Sequence, residues 1–132
     1  MANERIALLQ KSGGKPSVRV TIGQAQWGSY AIYLTTKNRQ AWETGDDKIW
    51  KGHSWDEVEA SHNLGMTPNQ LDGRELWVDM IITPVNIGDP YAATIEIMQK
   101  GLPVEGGQLP PMTGDADRRN FKLSTLVRLV AK

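Results

Sequence analysis

The sequence predicts an all-β fold: an antiparallel two-sheet β-sandwich of about seven or eight strands, with one short helix in a long connection. Three observations lead there. Apolar and polar residues alternate at period two in several separate segments. Strong turn formers divide those segments: Gly13-Gly14, Gly45-Asp46, Asp72-Gly73, Gly88-Asp89-Pro90, Gly106-Gly107 and Pro110-Pro111. The pattern also lacks the long helical crossovers that parallel pairing requires. A small β-barrel is the structural alternative.

Each element has its own signal. A first strand is expected around Arg5–Gln10, closed by the turn Ser12-Gly13-Gly14-Lys15-Pro16, which lacks the spacing of a phosphate-binding loop. In Ser17–Ile22, Val18, Val20 and Ile22 form a core face against Ser17, Arg19 and Thr21. Tyr30–Thr35 puts Tyr30, Ile32 and Leu34 on one face. Leu76–Thr83 sets Leu76, Val78, Met80 and Ile82 against Trp77, Asp79, Ile81 and Thr83. Because that second face is partly apolar, the strand is expected to be central or covered. Ala92–Gln99 turns Ile95 and Ile97 inward, and Phe121–Val130 aligns Phe121, Leu123, Thr125, Val127 and Leu129. The helix is expected at Ser54-Trp55-Asp56-Glu57, which has capping-box form, with Trp55, Val58 and His62 on a face and Gly65 as the stop.

Composition narrows the function classes. The 132 residues, 39% of them hydrophobic, suit one domain over 1–132 that buries a core without help from metal or disulfide. Fifteen basic and fifteen acidic residues cancel, so nucleic acid is not an expected partner. With no cysteine, disulfides, thiolate metal sites and cysteine nucleophiles are excluded. No apolar run reaches the roughly 18 residues of a transmembrane helix. The segment Met1–Ile6 lacks the basic and hydrophobic regions of a signal peptide, so the expected location is the cytoplasm, or outside the cell by a route that uses no signal peptide.

The chemical content concentrates between Trp42 and Trp55, where three of the five tryptophans and one of the two histidines fall. Indoles stack on sugar rings or anchor protein contacts, and carboxylates and imidazoles orient hydroxyl groups. Trp42, Asp46, Asp47, Trp50, His53 and Trp55 are therefore the candidate ligand-binding residues. The competing reading makes the same rings a plug in the open end of the sandwich.

No catalytic residue and no cofactor is assigned. Glu59 and His62 could share a helical face, but carboxylate-bridged metal sites need several such helices, so no metal is expected. Asp46-Asp47 and Asp115-x-Asp117 lack the graded spacing of a calcium loop. No G-x-S-x-G elbow occurs. Carboxylates near His53 keep a hydrolase as the weakest alternative.

Charge is segregated along the chain. Glu43, Asp46, Asp47, Asp56, Glu57 and Glu59 form an acidic run, and Arg118, Arg119, Lys122, Arg128 and Lys132 a basic one. Either the two meet within the molecule or an acidic patch meets a basic edge on another protomer. The outward side of the last strand mixes Lys122 and Arg128 with Leu126 and Val130, which suits burial against a neighbouring sheet or a partner subunit.

Asp89-Pro90-Tyr91, followed by the alternating Thr94–Met98 segment, resembles the Asp-Pro-Tyr start of a strand in C2 domains. The likeness spans some ten residues of the 132. The paired aspartate loops that hold calcium in those domains have no position-by-position match, so no lipid-binding function is carried over. The expected function is a non-enzymatic binding module whose preferred ligand is carbohydrate. The alternative is a protein-interaction component, with homo-oligomeric assembly as one form.

Overall fold

The computed structural model describes residues 5–23, 27–35, 48–55, 59–84, 86–115 and 121–132; for 27, 48–55, 59 and 121 it describes the main chain alone. Among the described residues are ten strands and one short helix. They are β1 (Ile6–Leu9), β2 (Ser17–Gly23), β3 (Trp27–Leu34), β4 (Lys48–Trp55), β5 (Glu59–Asn63), α1 (Pro68–Leu71), β6 (Glu75–Thr83), β7 (Pro90–Gln99), β8 (Leu102–Gln108), β9 (Met112–Asp115) and β10 (Phe121–Ala131). The strands join in the order β4-β3-β6-β10-β1-β8-β7-β2-β5, with β9 added to β7. The end strands β4 and β5 approach each other and β4 packs near β2, so the sheet curls upon itself.

Two features correct the expected architecture. The sheet is mixed, because β1 runs parallel to β10, pairing Ile6 with Arg128 and Leu9 with Ala131. The ten described strands also follow one another in a single curled sheet, where a two-sheet sandwich of about seven or eight strands was expected. Period-two patterning reports which face of a strand is buried. It carries no information about which edge finds which neighbour.

The alternation itself holds. Val18, Val20 and Ile22 of β2, Tyr30, Ile32 and Leu34 of β3, and Leu76, Val78, Met80 and Ile82 of β6 are buried in one core. Ala93, Ile95 and Ile97 of β7, Ala7 and Leu9 of β1, and Val127 and Leu129 of β10 complete it, with Leu64, Leu71 and Leu109 from the connections.

The expected helix at Ser54 is not formed. Lys48–Trp55 is a strand laddered along β3, and Glu59–Asn63 a strand laddered along β2. A capping box contributes about 1 kcal/mol, and the segment has no continuous apolar stripe to bury as a helix. Ladder bonds to two existing strands outweigh that signal. The helix α1 lies later in the same long connection, where Thr67 and Gln70 form the capping box and Pro68 starts the first turn. Gly65, read as a helix stop, instead takes its positive φ of 71° just after β5.

Two polar clusters tie the layers together. Tyr30 from β3 and His62 from β5 share a hydrogen bond of 2.5 Å between Oη and Nε2, their rings edge to face at 5.5 Å. Burial pushes the Tyr30 phenol pKa above its ordinary value. At the other end Gln99 closes on the turn after β1. Its Nε2 donates to the Gln10 and Gly14 carbonyls at 3.0 and 2.8 Å, and its Oε1 accepts from the Gln10 amide at 2.9 Å. A Cβ on Gly13 would stand 2.8 Å from that Nε2, so glycine permits the approach.

Candidate functional site

Of the six expected ligand-binding residues, Trp42, Asp46 and Asp47 lie outside the described residues. Trp50, His53 and Trp55 fall on β4, and their side chains lie outside the description. By register Trp50 stands opposite Ile32, His53 opposite Ser29, and Trp55 opposite Trp27. Among the described residues no group of three or more His, Asp or Glu side chains is placed to hold a metal. Glu59 and His62 belong to a strand, where a spacing of three no longer shares a face.

The described surface has a different feature. β6 is central, with β3 on one edge and β10 on the other. Its core-facing side is satisfied by Leu76, Val78, Met80 and Ile82, but its outward side carries Trp77 at 37% exposure and Ile81 at 47%. Sequence reasoning expected this strand to be central or covered, and it is central, with β3 and β10 as neighbours, while its second face is left uncovered.

Register shows how far the apolar surface extends. Tyr33 of β3, Trp77 of β6 and Leu126 of β10 form one cross-strand row. Four residues along, β10 and β1 add Val130 beside Leu8, and between those rows Ile6, 41% exposed, stands beside Arg128. Tyr33, Leu126, Val130 and Leu8 are half-buried. The result is a diagonal stripe crossing four strands. Ile87 and Leu102 are also exposed, but each stands apart from the stripe beside a turn, and single exposed apolar residues are ordinary.

Charges of both signs flank the stripe. On one side Asp79 accepts a hydrogen bond from the Ser124 hydroxyl at 2.7 Å and faces Lys122 Nζ at 3.6 Å. At the far end Lys132 Nζ lies 3.6 Å from Glu105, beside an open cleft of about 380 Å³ lined by Leu8, Gln10, Lys11, Ser12, Glu105 and Lys132. Arg128 stands directly across from Glu75. Lys122 and Lys132 thus pair with acids of β6 and β8 in the same chain, and Arg128 stands level with an acid of β6. Most of the acidic run at 43–59 lies outside the described residues.

The opposite side of the molecule provides an internal comparison. The outward positions of β2, β5 and β7 include Arg19, Thr21, Ser61, Asn63, Thr94 and Glu96, all polar. There Arg19 Nε donates to Glu96 Oε1 at 2.9 Å, and Gln108 Nε2 donates to Glu96 Oε2 at 3.2 Å. One side is finished for water and the other is not. Leu126 and Val130 were legible in the sequence as outward apolar residues of the last strand. Their continuity with Trp77, Ile6 and Leu8 requires the strand order, which local pattern does not carry. Comparison with family models, with curated proteins and with solved structures finds no match for the chain.

Proposed function

We propose that this chain is a protein-interaction module that docks a partner through the outer side of β3, β6, β10 and β1. The observation that carries the reading is the asymmetry between the two outer sides: a stripe with Trp77, Ile81 and Ile6 exposed against a polar surface on β2, β5 and β7. Placing an indole and two isoleucines against water costs stability relative to polar residues at the same positions. Tryptophan at the centre of an apolar patch with a charged rim is the usual composition of a protein interface.

The test is site-specific photo-cross-linking in cells that make the chain. A benzophenone amino acid replaces Ile81 in one version and Thr94, on the polar side, in another. Protein adducts at 81 and few at 94 are the expected result. Equal labelling at both positions, or none at 81, would refute the reading.

Carbohydrate binding through Trp42, Asp46, Asp47, Trp50, His53 and Trp55 is a second proposal. It rests on the concentration of tryptophans and acids between Trp42 and Trp55, and within β4 the positions of His53 and Trp55 share one face while that of Trp50 takes the other. Tryptophan fluorescence titrated with a panel of mono- and oligosaccharides tests it. A saturable change that weakens in Trp50→Ala without unfolding supports the site. An unchanged signal with every sugar, or unfolding of Trp50→Ala, removes it.

A further inference from the structure

We infer that the end of the sheet carrying Lys11, Lys15, Lys100 and Lys132 docks on an anionic lipid bilayer, with Leu102 entering the interface. The inference uses none of Trp77, Ile81 and Ile6, which carry the interaction reading above, so the two fail separately.

Main-chain contacts bring the lysines together. Gln99 closes on the turn after β1. Continuing the Ser17–Met98 pairing of β2 and β7 by two residues sets Lys15 level with Lys100. The Lys11 amide donates to the Lys132 carbonyl at 3.4 Å, and both side chains line the open cleft of about 380 Å³ with Ser12 and Gln10. That cleft gives a headgroup phosphate a concave seat between ammonium and hydroxyl donors. All four lysines are exposed. Lys132 Nζ lies 3.6 Å from Glu105, whereas Lys11, Lys15 and Lys100 have no ion-pair partner among the described residues.

The hairpin between β7 and β8 holds a cation against the preference of its own backbone. Lys100 turns at φ 51°, in the left-handed region where asparagine or glycine is the ordinary occupant. Leu102 follows at 70% exposure. Exposure alone is ordinary, but a leucine on a turn beside cations that have no acid has the composition of an interfacial anchor. The other end of β7 supplies the contrast. There Asp89 precedes Pro90, which pairs with Asp115, so the exposed Ile87 has acids for neighbours.

A bilayer suits this end better than a folded acidic partner or nucleic acid does. A single leucine on a turn buries little against a rigid surface, whereas a fluid interface closes around it while phosphates reach the lysines. Screening confines the attraction to charges within about 8–10 Å of the surface, so the zero net charge of the chain is no obstacle. Each lysine near such a surface strengthens binding about five-fold.

The experiment is co-sedimentation of the full chain with vesicles of phosphatidylcholine, alone or with about one-third phosphatidylserine, at up to about 2 mM lipid and about 0.1 M salt. Wild type is expected to bind only the anionic vesicles. Lys100→Asn suits the backbone and should keep the circular dichroism spectrum, yet weaken binding about five-fold, as should Lys15→Gln. Leu102→Ser should weaken it about ten-fold, and Ile87→Ser should leave it unchanged. Failure of wild type to bind anionic vesicles overturns the inference, as does binding indifferent to Lys100→Asn or to Leu102→Ser. Loss with the lysines alone, joined by equal binding to single-stranded DNA, would make the patch a general polyanion site and also overturns it. Insertion has its own readout, which decides should Leu102→Ser fail to fold. The chain has no cysteine, so an environment-sensitive dye attached to Leu102→Cys should shift to the blue on anionic vesicles, and one on Ile87→Cys should not. The same shift at both positions, or at neither, refutes the docking.

Discussion

Gln99→Met tests how the fold delivers β1 to the outer face. Gln99 is 8% exposed and satisfies three main-chain groups of the turn after β1. Methionine keeps the length and apolar volume of the side chain and removes every donor and acceptor. Each lost bond is worth about 0.5–1.5 kcal/mol net. The Gln10 carbonyl keeps its bond from the Gly13 amide at 2.9 Å, and the exposed Gln10 and Gly14 can recruit water once the turn relaxes. The expected loss is therefore about 2 kcal/mol rather than the full sum. At this chain length that lowers the melting temperature by about 6–10 °C.

The companion variant Gln99→Glu separates hydrogen bonding from packing. One carboxylate oxygen can still accept from the Gln10 amide, but the other faces two carbonyl oxygens and has no proton to offer. Burial and those carbonyls raise the folded pKa of the new carboxyl above its unfolded value of about 4.3. The variant therefore matches wild type most closely below about pH 4, where the acid is protonated, and falls behind as pH rises through that folded value. Urea unfolding followed by tryptophan fluorescence, from pH 3.5 to 7.5, reads both effects. If Gln99→Met unfolds within about 0.5 kcal/mol of wild type, water replaces the clamp without cost and the reasoning fails.

Tyr30→Phe removes the shared hydrogen bond with His62 and is expected to cost about 1–2 kcal/mol at pH 7. Because the folded pKa of Tyr30 is raised, wild-type stability falls as pH climbs above the unfolded value of about 10; the variant should lose that share of the alkaline decline, and identical slopes in both proteins would count against the burial argument. Ile95→Ala, in the core, is expected to cost about 3 kcal/mol, whereas Ile81→Ala in monomeric protein should stay within about 0.5 kcal/mol. Similar losses at the two positions by chemical denaturation would mean that Ile81 already packs against its own chain. Thr67→Ala opens the capping box of α1 and should cost about 0.5–1 kcal/mol in the same assay; no change would show that the cap is dispensable in so short a helix.

The sequence was most readable where one face of a strand alternates cleanly. Val18, Val20 and Ile22, or Leu76, Val78, Met80 and Ile82, admit only one assignment of core side and solvent side. It was least readable where pairing rather than side-chain alternation makes a strand. The β5 segment Glu-Ala-Ser-His-Asn has a single small apolar residue, and its strand character comes from pairing with β2. β8 holds Pro103, Gly106 and Gly107, residues that argue against a strand. Between the pairs Met98–Pro103 and Glu96–Gln108, β8 uses more residues than β7, and Gly106 turns at φ 74° within that bulge. The hairpin before it turns on Lys100 and Gly101, both at positive φ, where Asn-Gly is the commoner signal. The candidate site divides in the same way. The outward Leu126 and Val130 were visible in period two, but their neighbours Ile6 and Leu8 come from the opposite end of the sequence.

That separation has a consequence for how the face is assembled. Its residues come from β1, β3, β6 and β10, and apart from the partly apolar row of β6 no strand holds more than two apolar members. All four sit beside strands distant in sequence: β3 beside β6, β6 beside β10, and β10 beside β1. Closing such contacts requires long loops to be ordered first, so the stripe is assembled only when β10 has inserted between β6 and β1. A partly folded chain offers isolated apolar residues but not the row Tyr33–Trp77–Leu126, nor the juxtaposition of Ile6 with Arg128. The proposed recognition through this face would thereby be conditional on completed folding. The parallel β1–β10 pairing joins the core and the outer apolar stripe in one step: the strand that buries Ala7 and Leu9 on one side presents Ile6 and Leu8 on the other.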